Sequence, residues 1–149
     1  MEVSRISDIA YLSGVIDEES DFSSMLTPPF IQAIDFSAVS RVNSIGLRSW
    51  MLFMTKWGDK PLNYMNCTTE ISDHLATIPA LRGASKRVVS VLSAMIPYDC
   101  LKCDHMEDIM VKRAEVVPVT LPKVVSPKCR ICSGEMELIN PSIVSIFTA

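Results

Sequence analysis

The order of apolar and polar positions predicts strands that alternate with helices over the first two thirds of the chain. Apolar runs of strand length occur at residues 2–6, 9–16, 30–36, 62–67 and 88–96. Between the later runs, apolar residues recur three and four positions apart, which is the period of a helix. This alternation predicts an α/β fold with a mostly parallel sheet.

Two helices stand out in this pattern, and a shorter one precedes them around Met25. The stronger helix has its apolar positions at Leu47, Trp50, Met51, Met54 and Trp57. Asn43 and Ser44 are both candidates for its N-cap, and Gly58 is a suitable end. The second helix follows Thr68 or Thr69, ends at Gly83 and has its apolar positions at Ile71, Leu75 and Ile78.

The segment that leads into the stronger helix is the most distinctive motif, with the sequence IDFSAVSRVNSIGL at residues 34–47. Asp35 and Ser37 end the predicted strand, and Asn43, Ser44 and Gly46 open the helix after a short loop. Backbone N–H groups and the helix dipole favour an anion at such a position, so a phosphate on Ser44 would be accommodated. The alternative is that Ser44 serves only as the N-cap.

This motif resembles the STAS domain, the fold of bacterial anti-sigma-factor antagonists and of sulfate-transporter tails. The resemblance covers roughly residues 2–96 and includes LSGVID at residues 12–17 and LNYMNC at residues 62–67. In that family, a partner anti-sigma kinase phosphorylates the serine of an Asp-Ser-Ser/Thr-Gly motif. Ser44 matches that serine and Gly46 matches the glycine, whereas Asn43 replaces the aspartate and Ile45 replaces the second Ser/Thr.

The resemblance implies a STAS-like domain over residues 1–97 that binds a kinase-like regulator or another signalling protein. Ser44 would be its phosphoacceptor, and Asp35, Ser37, Asn43 and Gly46 would form the surrounding loop. The helix that usually follows the last strand of the family is missing, and a cysteine-rich segment takes its place.

Four of the five cysteines form two C-x-x-C pairs, Cys100 with Cys103 and Cys129 with Cys132, separated by 25 residues. Each pair can place both sulfurs on one tight turn, and two such turns give the four thiolates of a structural zinc site. We therefore predict a small β module resembling a zinc ribbon over residues 98–149. Four reduced thiols and a redox dithiol are the alternatives. A last apolar run, at residues 142–147, predicts a closing strand.

Composition and charge then narrow the classes of function. The 149-residue chain has a net charge of −3, which argues against nucleic-acid binding. Local positive charge near the cysteines keeps that alternative open, from Lys102, Arg113, Lys123, Lys128 and Arg130. The chain shows no apolar window of membrane-spanning length and no secretory signal pattern, so we expect a cytoplasmic location without membrane insertion.

Catalytic patterns are missing from the sequence. It has no glycine-rich phosphate loop, and its two histidines do not suggest a Ser-His-Asp set. A mean hydropathy of +0.27 is high for a soluble chain of this size and indicates either an unusually apolar core or apolar surface that a partner would cover. A non-enzymatic regulatory module switched at Ser44 and a constitutive assembly module that uses the zinc ribbon as its interface both remain open.

Overall fold

The computed structural model describes residues 1–83, 88–117, 123–124 and 126–148. The strands are β1 (Glu2–Ile6), β2 (Ile9–Ile16), β3 (Ala33–Val42), β4 (Leu62–Met65), β5 (Val89–Val91), β6 (Ser93–Cys100), β7 (Met106–Lys112), β8 (Val116–Val117), β9 (Lys123–Val124) and β10 (Met136–Leu138). The helices are α1 (Ser44–Trp57) and α2 (Thr69–Thr77), with 3-10 helices at Ser23–Leu26, Pro79–Arg82, Arg113–Glu115 and Pro141–Phe147.

The predicted α/β class is confirmed. A five-stranded sheet has the order β1-β2-β3-β4-β5, and only the β1–β2 pairing in it is antiparallel. A separate antiparallel sheet has the order β10-β6-β7 and contains Cys100 at the end of β6. An isolated parallel bridge between Cys67 and Ala94 connects the two sheets where β4 ends and β6 begins.

An aromatic cluster fixes α1 on the five-stranded sheet. The Trp50 ring lies 5.1 Å from the Phe36 ring, and its Nε1 donates a 3.0 Å hydrogen bond to the Tyr64 hydroxyl. Tyr64 donates in turn to the Leu81 carbonyl at 2.9 Å, so its buried hydroxyl is satisfied. Burial raises the pKa of Tyr64. The apolar stripe predicted on α1 is therefore core, and its Trp57 is fully buried.

The predicted strand at residues 30–36 is displaced along the chain, because β3 begins at Ala33 and continues to Val42. All four residues from Ala33 to Phe36 are buried, and this part of β3 falls within the predicted apolar run. From Ser37 onwards exposed residues interrupt the buried ones, because this half is covered on one face only. Parallel pairing of Val39 with Gly14 and of Val42 with Ile16 holds it in the sheet.

The strand predicted at residues 88–96 is divided at Leu92 between two sheets. Its first part is β5, which pairs with β4, and its second part begins β6, which pairs with β7 and β10. The Leu92 N–H donates to the carbonyl of Tyr64 in β4, and the Leu92 carbonyl accepts from Arg113 at the end of β7. Leu92 is therefore the residue at which the chain passes from one sheet to the other. The predicted boundary between residues 97 and 98 falls inside β6.

The closing strand predicted at residues 142–147 is wrong, because Pro141–Phe147 forms a 3-10 helix. Asn140 caps this helix by accepting from the Ser142 N–H. Its buried side chains recur three apart, the spacing of one 3-10 turn: Ile143 with Ile146, and Val144 with Phe147. They pack against α2 and β5, which covers the edge of the five-stranded sheet.

Within the described ranges, no helix has the length and apolar character that crossing a membrane requires. Short strands and turns were also predicted between the cysteine pairs, at residues 104–128. Strand β7 and the pair β8–β9 confirm this in part, whereas residues 118–122 and 125 lie outside the described residues.

Candidate metal centre and the N-terminus of helix α1

The structure brings the four predicted zinc ligands together. The sulfur atoms of Cys100, Cys103, Cys129 and Cys132 all lie within 4.8 Å of one another. The Sγ–Sγ distance is 3.5 Å between Cys100 and Cys132 and 3.7 Å between Cys103 and Cys129. Zinc–thiolate bonds of about 2.3 Å in a tetrahedron place neighbouring sulfurs about 3.8 Å apart. The cluster therefore has the dimensions of a four-thiolate metal site.

The antiparallel sheet positions both cysteine turns. Cys100 is the last residue of β6 and lies opposite Met136 of β10. Its N–H donates to the His105 carbonyl at 2.9 Å, and the Cys129 N–H donates to the Gly134 carbonyl at 2.8 Å, so each turn closes in the same way. A 3.1 Å hydrogen bond from the Leu101 N–H to the Glu135 carbonyl joins the two turns.

Backbone N–H groups also point at the sulfurs. Lys102 donates to the Cys100 sulfur, Ile131 to the Cys129 sulfur and Gly134 to the Cys132 sulfur, each at 3.4 Å. Such donors favour thiolate over thiol, which is the form that binds a metal.

The pKa values of two of these thiols are shifted in opposite directions. The Lys102 N–H is the largest influence on Cys100 and lowers the pKa of that thiol to about 6. The His105 N–H acts in the same direction on Cys103, but hydrogen bonds with the other thiols and burial outweigh it and raise the pKa of Cys103 to about 12. A bound divalent cation would displace the remaining protons, so the donor set fits a metal.

A left-handed residue follows the second cysteine of each turn, Asp104 with φ of 57° and Ser133 with φ of 59°. The next residue in the second turn is Gly134, which has little space for a side chain. An added Cβ would lie 3.1 Å from the Cys132 sulfur and 3.1 Å from the Lys102 Cβ. The tight space beside the cluster therefore favours glycine at this position.

The remaining cysteine, the histidines and the basic residues lie outside this cluster. Cys67 is fully buried in the core. His105 lies 3.3 Å from Glu107 and His74 lies 3.8 Å from Glu70. Two of the basic residues near the cysteines form ion pairs, Lys128 with Glu135 and Arg130 with Glu107. The Lys123 side chain lies outside the described residues.

The N-cap of α1 is Asn43, and Ser44 is the first helical residue. The Asn43 side-chain oxygen accepts from the Gly46 N–H at 2.8 Å, and its Nδ2 donates to Glu18 at 2.9 Å. That bond is the largest influence on Glu18 and lowers its pKa. The interpretation of Ser44 as the cap is therefore wrong, and its side chain is exposed beside this cap.

Asp35 and Ser37 lie inside β3 and not in a loop before α1. Seven residues of strand separate Asp35 from Val42, a distance of about 23 Å at the rise of an extended chain. The Asp35 carboxylate is buried and accepts from the Ser37 N–H and the Asn66 amide. It stabilises the pairing of β3 with β4 in the middle of the sheet and is remote from Ser44.

Glu18 was missed as a neighbour of this helix. The acidic run at residues 17–19 predicts a helix N-terminus, but the nearer helix in the sequence is the short one at Ser23–Leu26. Strand β2 instead ends beside α1, because the Asn43 N–H donates to the Ile16 carbonyl at 3.0 Å.

Truncation of Asn43 and of Ser44, the two residues at the start of α1, should affect stability differently. We expect Asn43→Ala to lower the free energy of unfolding by about 1 kcal/mol, since the Gly46 N–H loses its acceptor. Ser44→Ala should change it by less than about 0.5 kcal/mol, because Ser44 is exposed and caps nothing. Urea denaturation of both variants measures this difference. Equal losses would contradict the assignment of Asn43 as the cap.

Comparison with protein-family models, with curated proteins and with solved structures found no match to this chain.

Proposed function

We propose that this chain is a non-enzymatic regulatory module of the anti-sigma-factor antagonist type, which binds a protein partner through α1 and carries a structural zinc ion. The observation that carries the binding role is a pair of exposed apolar side chains on one side of α1, close to Ser44. Ile45 is 53% exposed and Leu52 is 55% exposed, and residues seven apart lie on one side of a helix. A protein partner would remove both from water.

Zinc is the metal proposed for the cysteine cluster. Four thiolates in a tetrahedron suit zinc, and two C-x-x-C turns are its usual carriers. All four positions are filled by protein, so no position is left for water or substrate. Such a closed site is structural, and its role is to hold β6 and β10 together.

Phosphorylation of Ser44 is the switch that the family resemblance supplies. The exposure of Ser44 at the first turn of α1 supports it, because a kinase could reach the hydroxyl there. The Glu18 carboxylate, which accepts a hydrogen bond from Asn43, argues against this switch, since a phosphate on Ser44 would lie near a like charge. This second observation favours the constitutive form of the module, which binds its partner without modification.

Affinity capture from native lysate tests both forms, with wild type, Ser44→Ala, Ser44→Asp and the double variant Ile45→Asn/Leu52→Asn as baits. We expect the double variant to lose the partner that wild type captures. Mass spectrometry of the baits measures phosphate on Ser44. Loss with Ser44→Asp as well would support the switch.

The matched control is Leu101→Asn/Ile131→Asn, which removes the exposed apolar residues of the two cysteine turns instead. Retention of the partner by this control and its loss with the α1 variant supports binding through α1. The reverse result would place the interface on the cysteine turns and contradict the proposal.

A further inference from the structure

Strand β7 is an edge of the antiparallel sheet. It pairs with β6 on one side, and among the described residues no strand pairs with it on the other. An edge of seven residues presents a row of backbone donors and acceptors that another strand can use.

The hydrogen bonds at the two ends of β7 show which residues face outwards. The His105 carbonyl accepts from Cys100, and the Arg113 N–H donates to Leu92, so both of these odd-numbered residues point at β6. Since the direction alternates along an antiparallel strand, the even-numbered residues point their backbone groups away from it. These outward residues are Met106, Asp108, Met110 and Lys112.

The sequence of this edge is complementary to itself when reversed. Residues 107–113 read EDIMVKR, with acidic residues at one end, basic residues at the other and apolar residues between. We propose that β7 pairs antiparallel with β7 of a second copy of this chain, on a two-fold axis at Met110. In this alignment Asp108 of each copy lies opposite Lys112 of the other, and the two Met110 residues face each other.

The backbone of β7 supports this register. The two Met110 residues would exchange a pair of N–H···O bonds, and each Asp108 N–H would donate to the Lys112 carbonyl of the other copy. The Lys112 N–H already donates to the Glu115 side chain at 2.8 Å. That bond ends the ladder at each side, so the pairing extends from Asp108 to Lys112.

The charges that the register would pair have no ion-pair partner within the described residues. Salt bridges there involve neither Asp108 nor Lys112. Burial raises the pKa of Asp73, His74 opposes this rise and the Asp108 carboxylate adds to it, so two like charges lie near each other. A Lys112 from a second copy would relieve this repulsion.

The side chains of Met110 and Lys112 also face open space. Met110 is 37% exposed, and it borders, with Lys112, a cavity of about 1050 Å³ that opens to solvent. The Glu107 carboxylate already forms an ion pair with Arg130 at 3.3 Å, so it is not free to pair with Arg113 of a second copy.

Registers centred on a charged residue are disfavoured by charge. An axis at Asp108 places the two Asp108 carboxylates opposite each other, and an axis at Lys112 does the same for the two ammonium groups. Charged residues on an edge strand block pairing with unrelated strands. Their order in β7 leaves the axis at Met110 as the register in which both cross-strand pairs are of opposite charge.

Sedimentation velocity of the full, zinc-loaded chain over a concentration series tests this pairing. We expect wild type to form a dimer, and Asp108→Lys and Lys112→Asp each to weaken it by at least about tenfold, since each places two like-charged pairs across the axis. The double variant Asp108→Lys/Lys112→Asp should dimerise again. A mixture of the two single variants should form a heterodimer, because each then supplies the charge that the other needs.

Glu19→Lys is the matched control, because it makes the same charge change at an exposed position in the turn after β2, outside the antiparallel sheet. It should dimerise like wild type. A monomeric wild type, or single variants that dimerise as well as wild type, would overturn the inference. The inference rests on the proposed interaction function only in that it names a second copy as one partner. A monomer that still captures its partner through α1 would refute the dimer alone.

Discussion

Cys129→Ser is expected to abolish stoichiometric zinc binding and to open the β10-β6-β7 sheet. Cys129 is buried and lies 3.7 Å from Cys103 across the cluster, so its loss removes one of four thiolates from a site with no spare ligand. At a free zinc concentration about a thousandfold above Kd, ligation contributes about 4 kcal/mol to the folded state. We expect most of that contribution to be lost, and an excess of chelator to have the same effect on wild type.

Zinc content by elemental analysis and amide hydrogen exchange measure the two parts of this result. We expect faster exchange in β6, β7 and β10, while the tryptophan emission, which comes from Trp50 and Trp57 of α1, stays unchanged. Trp50 has its aromatic contacts with Phe36 and Tyr64, on the five-stranded sheet. A change in both signals would show that residues 98–149 do not unfold independently of the rest.

Cys67→Ala is the control for the loss of a thiol. Cys67 is fully buried in the core and is not a member of the cluster, so this variant should still bind one zinc ion per chain. Unchanged zinc content in Cys129→Ser would show that the four cysteines are not the metal site. Full zinc loss without faster exchange would show that the sheet does not depend on the metal.

The spacing of the cysteines predicts each turn, but only the sheet brings the turns together. C-x-x-C is a local signal, because four residues suffice to place two sulfurs side by side. The contact between Cys100 and Cys132 depends on the pairing of β6 with β10. This pairing places Cys100 opposite Met136, which lies 36 positions later in the chain. No local pattern encodes that register.

Local sequence signals predict helix α1, whereas the second half of β3 depends on pairing with a distant strand. Its apolar period, its cap at Asn43 and its end at Gly58 are all local signals. The second half of β3 has exposed residues among its buried ones, so the sequence alone does not distinguish it from a loop. Its place in the sheet comes from parallel pairing with β2, and Asp35 was therefore predicted too close to Ser44.

Gly46→Ala is expected to destabilise the fold by about 3 kcal/mol or more, although helix propensity alone predicts a gain of about 1 kcal/mol. A Cβ on Gly46 would lie 2.1 Å from the Ile16 carbonyl oxygen and 2.7 Å from the Asp17 nitrogen. Both are backbone atoms at the end of β2, so no side chain can move aside. Denaturation in urea measures the change in free energy of unfolding.

Thr55→Ala is the control on the same helix. Thr55 is exposed, so alanine there brings the propensity gain without a new contact, and the free energy of unfolding should change by less than about 0.5 kcal/mol. A stabilised Gly46→Ala would refute the close approach of α1 to β2. A destabilised one would show that the glycine matching the STAS motif is required here for packing, whether or not Ser44 is ever phosphorylated.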